Sequence, residues 1–465
     1  MIADSMGRSL TCAAFIAALL WVGCASGDDE RPGLLLITVD TLRPDRLACY
    51  GGDPEVGTGI CALGNQGTRF VWSFSPAPST APSIASVLTS SWPSSHGVTE
   101  FATTVLSEQA RTLAEYLSDA GYDTAAFVSN PVLVRGRRFE QGFTIYDDRM
   151  TRREPNRPEL KEREAGEVTD AALAWLRVAR RPWFLWVHYQ DPHGPYQPPY
   201  APRRRDDPPG ASPLPLLEEH SGYQGIPAYQ ALPGLRSLEA YEQRYRDEIR
   251  HVDLHIARLV AGADALGPRP WVVLTADHAE AFGEDGYYFA HGHSVGMDQI
   301  RVPLLVRPAE PGPGWVSTRP VSGVDVAPTL LRAAGLPVPE TFQGEPLPLR
   351  AADEEEHLRT LVAEHRARVA LVVGSTYYAR DRHPLAPGTL DAITGGVLLP
   401  LPPRVAQLSP DGRLPEYRSA PQESAARLEP LLARVLRSST ETEPRGAPQL
   451  TEAEREALSA LGYLE

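Results

Sequence analysis

The sequence predicts an α/β fold, with a mostly parallel sheet covered by helices on both faces and a smaller C-terminal α+β subdomain. Three observations predict it. Continuous apolar runs of strand length recur along the chain, as expected of strands buried on both faces. Stretches of helical periodicity stand between them, and alternation of strand and helix is the signature of a parallel sheet covered on both sides. After about Pro348 the character changes, from acidic Asp353-Glu354-Glu355-Glu356 into the short runs Val369-Ala370-Leu371-Val372-Val373 and Thr376-Tyr377-Tyr378.

Taken in order, the chain begins with Arg8 and an apolar run from Leu10 to Val22, too short to span a hydrocarbon core of ~30 Å. It reads as the core of a signal segment over residues 1–24. Its end, Leu20-Trp21-Val22-Gly23-Cys24, resembles a bacterial lipoprotein cleavage box, so an exported, periplasmic or surface protein is expected. Its membrane contact would be a lipid on Cys24. Two cysteines then remain, Cys49 and Cys61, either bridged locally or left as two buried thiols.

The strands follow. Gly33–Val39 is the first. Thr124–Val128 comes after a helix over Thr112–Ala120 that Gly121 stops. Trp183–Val187 follows a helix near Glu164–Ala179, and Trp271–Thr275 follows a long amphipathic helix, Leu238–Leu266. Val302–Val306 is a fifth run. The stretch from Pro192 to Pro233, rich in Pro and Arg, reads as a long excursion near the mouth of the site. Domain limits are set at 33–349 for the larger unit and 350–465 for the smaller, with a capped helix at Leu450–Leu461 closing the chain.

Composition narrows the class further. An apolar fraction of 42% with 22% charged residues excludes collagen-like, coiled-coil and polytopic membrane chains. The 45 prolines point to long irregular loops, and a net charge of −14 argues against a nucleic-acid partner. Of the 45 basic residues only Lys161 is a lysine, so chemistry needing two site lysines is excluded. Lys161 itself, in the charged run Glu159–Glu164, reads as a solvated helix residue.

In open α/β sheets ligands bind beyond the carboxyl ends of the strands. The residues there are Asp40, then Ser129-Asn130, then His188 to His193 including Asp191, then Asp277-His278. Each alone is commonly a cap or turn residue. Together they form a mixed oxygen and nitrogen set suited to a divalent metal. Ser79-Thr80-Ala81-Pro82 supplies a hydroxyl at a helix start, where the dipole favours an alkoxide and an anionic substrate, although a plain N-cap has the same sequence.

These residues belong to a pattern that resembles the sulfatase branch of the alkaline phosphatase superfamily, over about Gly33 to Leu349. Its landmarks are Thr38-Val39-Asp40-Thr41-Leu42-Arg43-Pro44-Asp45, Thr80-Ala81-Pro82-Ser83, Pro93-Ser94-Ser95-His96-Gly97, Asp191-Pro192-His193-Gly194-Pro195-Tyr196, Thr275-Ala276-Asp277-His278-Ala279-Glu280, His291-Gly292-His293, Arg301-Val302-Pro303 and Asp325-Val326-Ala327-Pro328-Thr329. The resemblance implies a divalent metal (zinc, manganese or calcium) on Asp40, Thr80, Asp277 and His278, with Thr80 also the nucleophile. It implies that His193 and His293 contact the anionic ester substrate or protonate its leaving oxygen, with Asn130, Asp191 and His291 as companions. A second ion on Asp191, His193 and His293 stays open. His96, Arg301 and Asp325 read as structural, as do His188 and the pair His251 and His255.

The departures from the family are informative. Formylglycine sulfatases need Cys or Ser at the position two before Pro82, where this chain has Thr80, and an Arg where it has Ile84. The second Asp of their Asp-Asp pair is Thr41. A direct threonine nucleophile resembles branches that act on phosphorus. The expectation is therefore a metal-dependent hydrolase of phosphate or sulfate esters. The alternatives are a phosphoglycerol- or phosphoethanolamine-type transferase, or a non-catalytic binding lipoprotein of the same fold.

Overall fold

The computed structural model describes residues 31–99, 105–158, 160–199, 207–218, 220–353, 359–386, 389 and 398–438. The expected signal segment, Cys24 and the helix expected at 450–461 lie outside the described residues.

The elements that matter run β1 (Leu34–Val39), α1 (Thr58–Asn65), β2 (Thr68–Phe70), α2 (Thr80–Thr89), α3 (Leu113–Asp119), β3 (Asp123–Val128) and β4 (Ile145–Asp147). A two-stranded ribbon, β5 (Arg152–Arg153) and β6 (Lys161–Glu162), precedes α4 (Ala165–Leu176) and β7 (Trp183–Tyr189). The long helix α5 (Leu238–Ala265) leads to β8 (Trp271–Ala276), β9 (Leu304–Arg307), β10 (Trp315–Ser317) and α6 (Val326–Ala333). The main sheet has the order β10-β2-β9-β8-β1-β7-β3-β4. Every pairing in it is parallel except the two that β9 makes, with β8 and β2.

Burial on both faces explains the continuous apolar runs. In β1, Leu35, Ile37 and Val39 pack with residues of α1, α4 and α5, while Leu34 and Leu36 pack on the opposite face with residues of α2, α3 and α6. Each fully buried side chain of this kind contributes about 1.5–3 kcal/mol. The helix ends follow their caps: Thr112 starts α3 with a reciprocal capping box to Glu115. Gly97, at φ 81°, ends the short turn that carries His96. His96 is held structurally, its Nε2 2.9 Å from Ser86 Oγ and its Nδ1 accepting from the Val98 N–H.

Cys49 and Cys61 form a disulfide, with Cα atoms 5.6 Å apart. Lys161 departs from the sequence expectation. It lies on the ribbon strand β6, not on a helix, and lines a recess together with His193, Arg157 and Asn130. A run of alternating charge carries no period long enough to tell a two-residue strand from a helix.

The C-terminal part is a five-stranded antiparallel sheet, β11 (Thr360–Glu364), β12 (Arg368–Val373), β13 (Thr376–Asp381), β14 (Arg404–Gln407) and β15 (Arg418–Ser419), followed by α7 (Gln422–Ser438). It closes against the larger unit through Trp72, Phe74, Trp92, Val295 and Met297. Its polar contacts reach the loop that carries His291 and His293. Arg368 donates to the His293 carbonyl, and the Tyr377 hydroxyl donates to the Val295 carbonyl at 2.6 Å.

Candidate active site

Parallel register aligns the strand ends. Thr38 pairs with His188 on one side and with Thr275 on the other, and Val128 pairs with His188. The residues just past these positions therefore share one edge: Asp40 after β1, Asn130 after β3, Asp277 and His278 after β8.

Asp40, Asp277 and His278 are fully buried, and one ligand atom from each lies within 4.8 Å of the others. Asp40 Oδ1 and Asp277 Oδ2 accept no hydrogen bond. Two buried carboxylates with open oxygens beside an imidazole cost several kcal/mol unless a cation sits among them. The donor set and its spacing fit a divalent ion. His278 has the matching tautomer: Nδ1–H donates to the Ala279 carbonyl at 3.0 Å, which leaves the Nε2 lone pair facing Asp40 and Asp277, each 3.5 Å away. Burial pushes the Asp277 carboxyl up to about 6, reinforced by the charge of Asp40. For Asp40 burial acts upward, but the adjacent imidazole of His188 and the nearby His193 and His278 hold it below the usual carboxylate range.

Thr80 is the first residue of α2, fully buried, with Oγ1 3.3 Å from His278 Nε2. Ser75 and Ser83 both donate to the Asp277 carbonyl, so α2 is tied to the loop that presents the ligands. Thr41 sits at φ 53°, a left-handed conformation costly for a β-branched residue. Its N–H points at Asp277 Oδ1 (3.3 Å) and its carbonyl accepts from Tyr245 (2.6 Å).

The other sequence candidates fall into different places. Asn130 binds Asp40 through its amide NH₂ at 2.6 Å, while its Oδ1 accepts from Val132 N–H. The His291 ring lies tilted against His278 with ring centres 4.3 Å apart, and 5.1 Å from His193. His291 Nδ1 is bonded to the buried Glu280 at 3.0 Å, and His193 Nδ1 to the Gly194 carbonyl at 2.7 Å. Burial holds His193 down at about 4 and His291 well below the usual histidine range, so both are neutral at pH 7. The His293 ring stacks instead on Tyr287, 5.4 Å away. Asp191 accepts from the Ala165 N–H at the start of α4 (3.0 Å). Arg301 lies over Trp72, and Asp325 holds the turn before α6 and pairs with Arg359 at 2.6 Å. His251 and His255 are buried on α5 with ring centres 4.7 Å apart, His251 facing Glu164 at 3.3 Å.

Sequence reasoning missed the part played by His188. Thr38 Oγ1 accepts from Trp186 Nε1 and so offers its proton to His188 Nδ1 (2.8 Å). That places the N–H of His188 on Nε2, 3.7 Å from Asp40 Oδ2. No periodicity within a fully buried strand marks one histidine as a neighbour of the site.

The sulfatase family model matches residues 32–336, two thirds of the chain. The chain belongs to the sulfatase family. It is an ester hydrolase of that family by descent, and its relatives are distant. It is 25% identical over 374 residues to a sulfatase named YidJ of Escherichia coli, covering 68% of this chain and 70% of that one. It is 24% identical over 417 residues to an N-acetylglucosamine-6-O-sulfatase of Bacteroides thetaiotaomicron, covering 71% and 73%. Among solved structures, the phosphonate monoester hydrolase of Agrobacterium radiobacter superposes with a TM-score of 0.63 at 19% identity, covering 88% of this chain and 96% of that one. No helix of the described residues is long and apolar enough to cross a membrane.

Proposed function

We propose that this member of the family is a metal-dependent hydrolase of phosphate, phosphonate or sulfate esters, with Thr80 as its nucleophile. The observation that carries the reading is Thr80 Oγ1 at a helix start, 3.3 Å from His278 Nε2 and beside carboxylate oxygens that accept no hydrogen bond. Asp40, Asp277 and His278 would hold the ion with Thr80 beside it, and a bound divalent ion lowers the pKa of an adjacent hydroxyl and offsets charge on the transferred group.

The chain's own residues supply the rest. The α2 dipole favours negative charge at Thr80. Thr80 Oγ1 forms a bond to phosphorus or sulfur as the bond to the ester oxygen breaks. With Nδ1 of His193 and His291 bonded to acceptors, their Nε2 atoms carry lone pairs. One of these imidazoles takes the hydroxyl proton and returns it to the leaving alcohol. Water then cleaves the Thr80 ester, giving the phosphate, phosphonate or sulfate anion and restoring the hydroxyl. Formylglycine chemistry is closed to this side chain. Export, with a lipid on Cys24, belongs to the same reading, and the Cys49–Cys61 bridge suits an oxidising compartment.

The test is a side-by-side assay on aryl sulfate, aryl phosphate and bis-aryl phosphate with zinc, manganese or calcium. Thr80→Ala is expected to lower turnover by at least ~1000-fold while keeping bound metal. Undiminished activity of that variant ends the nucleophile assignment. Absence of both activity and bound metal in the unmodified protein favours a binding module.

A further inference from the structure

Beside His193 a small recess is walled by Glu162, Glu164, Asp191 and Glu248, with Arg152 and Gln190 among its other polar groups. A neighbouring recess shares Glu162, Gln190 and His193 and reaches Asn130, whose amide is bonded to Asp40. The acidic recess thus adjoins the reacting centre, and the reaction above leaves its carboxylates unused.

Its charge is unbalanced. Arg152 Nε stands 3.9 Å from Glu162. Arg163, also on the wall, is drawn to Asp147 (3.4 Å) and to the Glu167 carbonyl (3.3 Å). Burial, with repulsion from neighbouring acids, pushes Glu162 up to about 7 and Asp191 up to about 6, and drives Glu248 well above the usual range. A second observation is independent of these acids. Gln190 is only 6% exposed, and its Oε1 accepts no hydrogen bond. An open acceptor among carboxylates calls for a donor that is also a cation.

Spacing selects the kind of cation. Among the described residues only Asp40, Asp277 and His278 bring ligand atoms together closely enough for a metal ion. No three acids of the recess gather ligand atoms that closely, and an amide oxygen, Gln190 Oε1, stands among its acceptors, which suits the N–H donors of an organic cation. We infer that this recess binds a primary ammonium group on the alcohol part of the ester, so that the substrates are esters of amino alcohols. The inference rests on the ester-hydrolase reading above. Gln190 Oε1 and two of the carboxylates of Glu162, Asp191 and Glu248 would take the three ammonium donors.

The experiment compares 2-aminoethyl phosphate and sulfate with propyl phosphate and sulfate, uncharged isosteres of the same length, by release of the inorganic anion. A preference in kcat/KM of about tenfold or more for the 2-aminoethyl ester is expected, as for a buried charge-assisted hydrogen bond. Glu248→Gln, and separately Glu162→Gln on the ribbon should the first fail to fold, should bring that ratio close to one. Equal rates on both esters, or a ratio untouched in a folded variant, overturn the ammonium site while the hydrolase reading stands. If neither ester turns over, the aryl esters decide the hydrolase reading. The recess is then judged by calorimetry with ethylammonium: binding lost in Glu248→Gln supports it, and no binding to the unmodified protein overturns it.

Discussion

Ser83, in the first turn of α2, donates its hydroxyl hydrogen to the backbone carbonyl of Asp277. That bond joins the helix carrying Thr80 to the strand end carrying two of the candidate ligands. Ser75 meets both partners, 2.8 Å from Ser83 Oγ and hydrogen-bonded to the same carbonyl. The distance between nucleophile and ligand set is therefore held by hydroxyls that touch the Asp277 backbone and not its carboxylate.

Ser83→Ala follows from this as a positioning variant. It removes one of two donors to Asp277 and leaves Asp40, Thr80, Asp277 and His278 in place. A displacement of the nucleophile by a fraction of an ångström is expected to lower kcat by about 10–100-fold with little change in KM. Bound metal, measured by elemental analysis, should stay at the unmodified level. A kcat within twofold of the unmodified protein would show that α2 is held without this bond.

His188 gives a prediction about the metal alone. Its Nε2 faces Asp40 Oδ2 at 3.7 Å, oriented by Thr38 on the opposite nitrogen. Outer partners of a ligand typically carry a 10–100-fold effect on affinity. His188→Leu should weaken zinc or manganese binding by about that factor in a chelator competition, with the far-UV spectrum unchanged. An unchanged affinity would assign His188 to the core alone.

His188 also shows what the chain displays and what it hides. Asp40, Asp277 and His278 were legible because each follows a strand-length apolar run, and a parallel sheet gathers such ends at one edge. Thr80 was legible from Pro82, which belongs in the first turn of a helix and so marks a start beside Thr80. His188 lies inside β7, where every position is buried, so no pattern separates a core histidine from one facing a ligand. Asp191 and His193 are near neighbours in sequence, yet the turn sends the first to the N–H of Ala165 and the second to the imidazole group. Lys161 and Glu162 face a recess because a two-residue ribbon carries them there, an element below the length at which periodicity says anything.

The bridge between Cys49 and Cys61 closes a short loop, the two being 12 apart in sequence. Loop closure of that size is worth about 2–3 kcal/mol through the unfolded state. Reduction, or the Cys49→Ser/Cys61→Ser pair, should lower the urea midpoint accordingly, and intact-mass measurement before and after alkylation should show one bridge. A protein whose thiols alkylate freely without reductant would contradict the pairing.

Glu162 makes the pH dependence of stability testable. Burial first, then the charges of Asp191 and Glu154, raise its carboxyl from 4.5 to about 7 in the folded protein. The folded state therefore holds a proton that the unfolded chain has released across that interval, and stability falls as pH rises through it. Below about pH 4.5 both states are protonated and the penalty vanishes; above about pH 7 it is complete. Glu162→Gln removes the titrating group while keeping its shape. The variant should gain about 2 kcal/mol over the unmodified protein at pH 8 and almost nothing at pH 4.5, read from urea unfolding at both. The difference between the two proteins carries the Glu162 titration together with the relief of its repulsion on Asp191 and Glu248. A gain of equal size at both pH values would assign the effect to packing or hydrogen bonding instead of charge.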